Sequence, residues 1–155
     1  MAEKDPSLRV LAQNRKARHE YEILAELECG LELTGTEVKS LRQGGASIAE
    51  AYAMVRKDEL WLVGAHIPEY KQGNVFNHAP DRERRMLAHR KEIEQWYKRV
   101  KEKGVTMVPL TLYFKGPRVK LLIGLARGKK LHDKRASMKE RDDRRDMDRA
   151  LSRRR

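Results

Sequence analysis

Residues 128–135, GKKLHDKR, place His132 among four basic residues directly after the last apolar run of the chain. An imidazole in that setting could transfer a proton, bind a metal ion or stack on a flat partner such as a nucleobase. Metal binding is not favoured, because the chain has no HExxH sequence and no CxxC pair, and its five histidines (19, 66, 78, 89 and 132) lack metal-ligand spacing. A surface role or a hydrogen-bonded structural role is the default expectation for each histidine.

Nothing in the sequence positively favours catalysis. The segment GLARGKK resembles a phosphate-binding loop only superficially, because a P-loop has four residues between its glycines and a Ser or Thr after the lysine. Here three residues separate Gly124 from Gly128, and Lys130 follows Lys129. A nuclease in which histidine and lysine act as acid and base stays open as an alternative.

Composition points to a polyanionic partner. The chain has 155 residues, of which 37% are charged, and a formal net charge of +12, so nucleic acid or an anionic membrane is expected to bind it. The membrane alternative is weaker, because no apolar run approaches the roughly 20 residues that span a bilayer. The N-terminus has no hydrophobic signal core and Cys29 is the single cysteine, which predicts a cytoplasmic protein without disulfides or a multi-cysteine metal site.

The charge divides the chain into two predicted units, a body over residues 1–127 and a basic C-terminal tail over residues 128–155. The tail holds 12 Lys/Arg and 6 Asp/Glu. Its few apolar residues cannot form a core, but its Lys, Arg, Met, Ala and Glu content favours helix. We therefore expect a tail that is disordered when free and helical on a partner.

The body is predicted to be mainly β. EYEILAEL alternates apolar and polar residues as a half-buried strand does, and AYAMV with LWLVGAHI flank the polar link RKDE as a hairpin does. GVTMVPLTLYF and RVKLLIGLA flank KGP and predict a second, longer hairpin in which Pro109 marks an edge or a bulge.

Helices are predicted in two places. Thr36 can cap a short helix over EVKSLR that ends at Gly44-Gly45, and a long helix is predicted to begin at Asp81 and to stop at Gly104. About six strands with one substantial helix can close a small barrel. An OB-like closed antiparallel barrel is the first choice, and an open antiparallel sheet with a covering helix is the second.

Residues 14–21, NRKARHEY, suit RNA. Their Lys and Arg side chains can meet phosphates, while the His and Tyr rings can stack on unpaired bases. A solvated basic segment leading into the first strand is the alternative interpretation. Charge and aromatic residues would be shared by a general rRNA-binding or ribosomal protein, so they leave the RNA unidentified.

Three motifs, in their order along the chain, narrow the choice of RNA partner. NRKARHEY, GLELTGTEVKSLRQG and GLARGKKLHDKR, the last before a charged tail, resemble the tmRNA-binding small protein B (SmpB) family over about residues 10–141. The resemblance implies an OB-like barrel and a cytoplasmic RNA-binding protein with no enzymatic activity and no cofactor. It also implies that the protein binds the tRNA-like domain of tmRNA, one protein monomer to one RNA. The complex would act in trans-translation, at ribosomes stalled on messages without a stop codon.

The resemblance also assigns residues. The tmRNA face would comprise Asn14, Arg15, Lys16, Arg18, His19 and Glu28. The part of the tail used on the ribosome would comprise Gly128, Lys129, Lys130, His132, Asp133, Lys134 and Arg135. The family places this tail in the decoding centre of the small subunit and in the empty mRNA channel. His132 would then stack on a ribosomal RNA base, and Gly128 would be the pivot between body and tail.

Overall fold

A computed structural model of the protein describes residues 8–102 and 104–129. Over these ranges the chain forms seven β-strands, three α-helices and one short 3-10 helix, Lys71–Phe76. The strands are β1 (Leu8–Gln13), β2 (Tyr21–Leu31), β3 (Tyr52–Arg56), β4 (Glu59–Val63), β5 (Arg84–Leu87), β6 (Val105–Lys115) and β7 (Arg118–Gly128). The helices are α1 (Arg15–Glu20), α2 (Gly35–Gln43) and α3 (Arg90–Val100). The predicted mainly-β class is confirmed, whereas the predicted tail lies outside the described residues after Lys129.

The strands form one antiparallel sheet in the order β1-β6-β3-β4-β5-β2-β7. An additional pairing joins β6 to β7, so the pairings of the six strands β2 to β7 lead back to their starting point. β2 and β7 pair from Tyr21 opposite Gly128 to Gly30 opposite Lys120. β2 is thereby held against the last described strand.

Both predicted hairpins are present. In the turn between β3 and β4, Lys57 and Asp58 have φ values of 51° and 65°, the left-handed conformation that two-residue hairpin turns need. In the β6–β7 hairpin the register shifts between Pro109 and Thr111, which makes Leu110 the extra residue of a bulge. The prediction of an edge or a bulge at Pro109 is confirmed as a bulge.

The helix predicted from Asp81 to Gly104 is too long at both ends. Residues 84–87 form β5, and α3 spans only Arg90–Val100. The burial of β5 alternates, with Arg84 and Met86 inside and Arg85 and Leu87 outside, which is the period of a strand. The apolar spacing that predicted a helix is correct only for its C-terminal part, where Ile93, Trp96 and Val100 pack against the core.

The cap of α2 is Thr34, not the predicted Thr36. The Thr34 hydroxyl accepts a hydrogen bond from the Glu37 backbone at 3.4 Å, and the Glu37 carboxylate accepts one from the Thr34 backbone at 2.8 Å, a capping box. The Thr36 hydroxyl instead lies 2.9 Å from Nδ1 of His78. The helix ends at Gly44 as predicted.

Glu37 is also the centre of a buried charge network. Its carboxylate and the Arg84 guanidinium are both fully buried and lie 2.7 Å apart, and Arg82 approaches the second carboxylate oxygen at 2.5 Å. Arg84 also donates to the carbonyl of Ala65 at 2.8 Å. Burial by itself raises the pKa of the Glu37 carboxyl, but hydrogen bonds from Arg82, Thr34 and Arg84 outweigh it and lower the pKa. The network ties α2 to β5.

The main core lies on the inner face of the sheet. Alternate residues of β7 that are almost wholly buried (Val119, Leu121, Ile123 and Leu125) fill it together with residues from the other strands. A second, smaller cluster lies on the opposite face of β6 and β7 and consists of Ala17, Val108, Leu110 and Ala126. This second cluster holds α1 on the sheet.

Candidate nucleic-acid interface

Helix α1 carries most of the residues expected to meet RNA, and Asn14 fixes where the helix begins. The Asn14 side chain is 7% exposed. Its Oδ1 accepts from the Ala17 backbone at 3.2 Å, and its Nδ2 donates to the Pro109 carbonyl at 3.1 Å. Its backbone N–H donates to the Leu110 carbonyl at 2.8 Å. Asn14 therefore positions α1 on the β6 bulge, and its own polar atoms are engaged within the protein.

One face of α1 is apolar and packs on the sheet. Ala17 is buried against Val108, Leu110 and Ala126. Gly124 of β7 leaves room for this packing, because a Cβ atom there would lie 3.0 Å from Cδ1 of Leu110 and 3.2 Å from Cγ2 of Ile23. A side chain at residue 124 would therefore displace Leu110, against which Ala17 packs. The position of α1 thus depends on the β6–β7 hairpin beneath it.

The other face of α1 is exposed and basic. Arg15, Lys16, Arg18 and His19 are all exposed. Arg18 lies 3.0 Å from the carboxylate of Glu26 in β2, and Lys16 lies 3.8 Å from that of Glu20. This short helix thus presents four predicted residues together to solvent.

Glu28 lies on the outer face of β2 and is held by two side chains from β6. The Tyr113 hydroxyl donates a short hydrogen bond to one carboxylate oxygen, and Lys115 lies 3.4 Å from the other. The hydrogen bond from Tyr113 lowers the pKa of the Glu28 carboxyl; partial burial opposes this, and Lys115 adds to it. Burial and Glu28 both raise the pKa of the Tyr113 phenol. A charged acceptor and a protonated donor therefore face each other at neutral pH.

Sequence reasoning missed Tyr113 and Lys115 as partners of Glu28. The signal that could have found them is the period of two in β6, which places both on the same face as Thr111 after the bulge. Their distance from Glu28 in the sequence, 85 and 87 residues, hides the relationship until the β2–β7–β6 order is known.

Glu26 connects α1 to Glu28. Glu26 and Glu28 are both exposed, two residues apart in β2, so they point from the same face. Because Arg18 reaches Glu26, this ion pair links the basic face of α1 to the face of β2 that carries Glu28. We call this combined area the α1–Glu28 surface; it consists of Arg15, Lys16, Arg18, His19, Glu26 and Glu28.

The tail leaves the sheet beside this surface. Gly128 is the last residue of β7 and pairs with Tyr21, and the backbone N–H of Lys129 donates to the carbonyl of Glu20 at 3.1 Å. The remaining predicted tail residues lie outside the described residues, namely Lys130, His132, Asp133, Lys134 and Arg135. The start of the tail is thus adjacent to the end of α1.

The described residues hold no cluster of three or more potential metal ligands. His78 is buried and its ring lies 2.9 Å from both the Thr36 hydroxyl and the Ile67 carbonyl, which confirms a structural role for this histidine. Cys29 is fully buried, and burial raises the pKa of its thiol to about 12, so it is not a reactive thiolate. None of the helices in the described part is long and apolar enough to cross a membrane.

Comparisons with known proteins agree on one family. The family model described as SmpB protein matches residues 11–153. The SsrA-binding protein of Kineococcus radiotolerans is 55% identical over 146 residues, which are 94% of each chain. That of Microcystis aeruginosa is 50% identical over 154 residues, which are 99% of this chain and 100% of the other. A solved structure described as "tmRNA-SmpB: a journey to the center of the bacterial ribosome" has a TM-score of 0.66 and 42% identity, and the match covers 81% of this chain and 92% of that chain.

Proposed function

Because the chain belongs to the SmpB protein family, we propose that it binds the tRNA-like domain of tmRNA and delivers it to stalled ribosomes in trans-translation. It acts by binding and not by catalysis, and its working place is the cytoplasm, where the ribosomes are. The single observation that carries the proposal to particular residues is the α1–Glu28 surface, which brings together the exposed residues expected to meet tmRNA.

The architecture that presents this surface is an OB-like barrel. The return of the strand pairings to β6 through β7 supports closure of the sheet. OB-folds bind nucleic acids on the exposed face of their strands and on adjoining loops. In this chain α1 takes the place of such a loop on the outer face of β6 and β7.

The α1–Glu28 surface makes two kinds of contact with RNA. Arg15, Lys16 and Arg18 approach phosphates, since exposed cations supply the salt-dependent part of RNA affinity. Glu28 is an acceptor for a base N–H or a ribose 2′-OH, the group that distinguishes RNA from DNA. Tyr113 and Lys115 hold this carboxylate charged and oriented, which limits the entropy lost when RNA binds.

The tail acts on the ribosome and not on tmRNA. It starts next to α1, so a complex in which α1 holds the tRNA-like domain keeps the tail close to it. The tail then enters the decoding centre and the empty mRNA channel of the small subunit. His132 stacks there on a ribosomal RNA base, flanked by Lys129, Lys130, Lys134 and Arg135 on phosphates, and Asp133 lies between them.

A gel-shift measurement tests the proposed function directly. We expect the chain to bind the tRNA-like domain of tmRNA more tightly than an unrelated structured RNA of equal length, with one protein bound to each RNA. The same incubations, analysed for RNA cleavage, should show intact RNA. Equal affinity for both RNAs would instead identify a general rRNA-binding protein.

A further inference from the structure

A cavity lies between α1 and the start of β3, beside the α1–Glu28 surface. Its volume is about 240 Å³, and its wall includes Lys16, Glu20, Tyr21, Ala49, Tyr52 and Thr106. Three alanines, Ala17, Ala49 and Ala51, are among the residues that line it. The cavity is partly open to solvent.

Tyr52 supplies an exposed aromatic face at this cavity. Its neighbour Ala53 is 4% exposed and belongs to the core, whereas Tyr52 is 48% exposed, so its ring points out of the sheet. Tyr52 is one of few large apolar side chains with such exposure among the described residues. Large exposed aromatic side chains on RNA-binding proteins are typical platforms for unpaired bases.

The polar groups of the cavity fit a base better than a phosphate. Glu20 and Glu50 both line it, and two carboxylates would repel a phosphate group. Lys16, the one cation in the wall, lies 3.8 Å from Glu20, which offsets its charge. Carboxylates accept hydrogen bonds from the N–H groups on base edges, and the Thr106 hydroxyl can both donate and accept.

We propose that this cavity binds one unpaired nucleobase of an RNA partner, stacked on Tyr52 with its N–H edge toward Glu20 or Glu50. The inference rests on the proposed function, because the base belongs either to tmRNA or to ribosomal RNA. The position of the cavity fits both sources, since Lys16 and Glu20 belong to α1 and the Glu20 carbonyl accepts from Lys129 at the start of the tail.

Three variants test the stacking. Tyr52→Ala removes the ring, Tyr52→Phe keeps it, and Tyr97→Ala is the control, because Tyr97 is 41% exposed on α3 and does not line this cavity. Affinities are measured for the tRNA-like domain of tmRNA alone and, separately, for ribosomes without tmRNA. A stacked base contributes roughly five- to 150-fold in affinity. Tyr52→Ala should lose that factor in one of the two measurements, which identifies the source, while the Phe variant and the control stay within about two-fold of wild type.

A fourth variant tests the cavity itself. Ala49 is exposed at the cavity wall, so Ala49→Leu should fill space in the cavity and should reproduce the loss seen with Tyr52→Ala. Unchanged affinity of Tyr52→Ala in both measurements overturns the proposal, as does a Phe variant as weak as the Ala variant or an Ala49→Leu variant as strong as wild type. Failure of the proposed function is distinguishable, since it would appear as equal binding of tmRNA and unrelated RNA by the wild-type chain.

Discussion

Asn14 donates from its side-chain amide to the carbonyl of Pro109, 95 residues away, at 3.1 Å. The same residue accepts from Ala17 at the start of α1, and its backbone donates to the carbonyl of Leu110. One asparagine therefore supplies a helix cap and satisfies two consecutive carbonyls of a strand bulge. The position of α1, and of every basic residue on it, depends on this contact.

Asn14→Ala is expected to loosen α1. The substitution removes the cap and leaves the buried Pro109 carbonyl without its partner, which together should lower the free energy of unfolding by about 1–3 kcal/mol. Urea unfolding measures that loss, and a gel shift with the tRNA-like domain should show weaker binding although Asn14 itself is buried. Gln13→Ala, at an exposed neighbouring position, is the control; an Asn14→Ala protein with wild-type stability would contradict the capping role.

Tyr113→Phe should raise the pKa of the Glu28 carboxyl toward its ordinary value, because the hydrogen bond from Tyr113 is the largest cause of its lowering. NMR titration of the Glu28 side chain measures the change. Binding of tmRNA should also weaken, since the acceptor loses its orientation, while Tyr97→Phe on α3 leaves both quantities unchanged. If the Phe variant binds tmRNA like wild type, Tyr113 does not position Glu28 for RNA.

Glu37 should make the fold sensitive to acid. Its pKa is lowered in the folded protein, so the stability it contributes is fully present above its unfolded pKa of about 4.3 and is lost as the pH falls through the lower folded value. Glu37→Gln leaves Arg84 buried without its counter-charge and should cost about 3–5 kcal/mol at pH 7. Urea unfolding of both proteins from pH 7 to pH 3 checks this, and parallel pH profiles would refute it.

Arg15→Ala combined with Lys16→Ala should weaken tmRNA binding and make its salt dependence shallower. The logarithmic slope should fall by about one for each phosphate contact that is lost. A matched double variant on α3, Lys91→Ala with Lys98→Ala, removes equal charge from exposed positions of another helix and controls for net charge. Equal slopes for the two double variants would show that α1 has no privileged contact with phosphate.

Truncation after Leu131 should separate tmRNA binding from ribosome rescue. The described core ends within β7, so residues 1–131 keep the sheet and the α1–Glu28 surface, apart from some nonspecific attraction lost with the tail charge. Peptide tagging on a message without a stop codon should fail, because the segment proposed to enter the mRNA channel is gone. Tagging at the wild-type rate by the truncated chain would defeat the proposed role of the tail.

Local patterns predicted the hairpins well, because their evidence is contained in short stretches. The RKDE and KGP links indicate turns, and Pro109 indicates a bulge. The backbone constraints involved act within a few residues. Helix α1 and strand β5 were missed for the opposite reason. α1 is a helix of only six residues that depends on the distant Pro109 and Leu110 carbonyls. β5 carries a buried arginine whose counter-charge, Glu37, lies 47 residues away.

In the candidate site, too, features that depend on neighbouring residues were predicted, and features that depend on distant residues were not. The basic residues of α1 are contiguous and were found together, whereas the link from Glu28 to Tyr113 exists only through strand order. The cavity between α1 and β3 could not have been predicted, because it lies between elements that the sequence alone does not bring together.

The pairing of β2 with β7 limits when the protein can fold during its synthesis. During synthesis β2 emerges early but has to wait for residues 120–128 before it gains this partner. A chain broken off before Arg118 lacks β7, so β2 and β6 present open edges that favour aggregation, and the cluster beneath α1 loses Ala126. A truncated message would produce such a fragment. The fragment would lack the complete sheet on which α1 lies, so only the chain that includes β7 can fold and function.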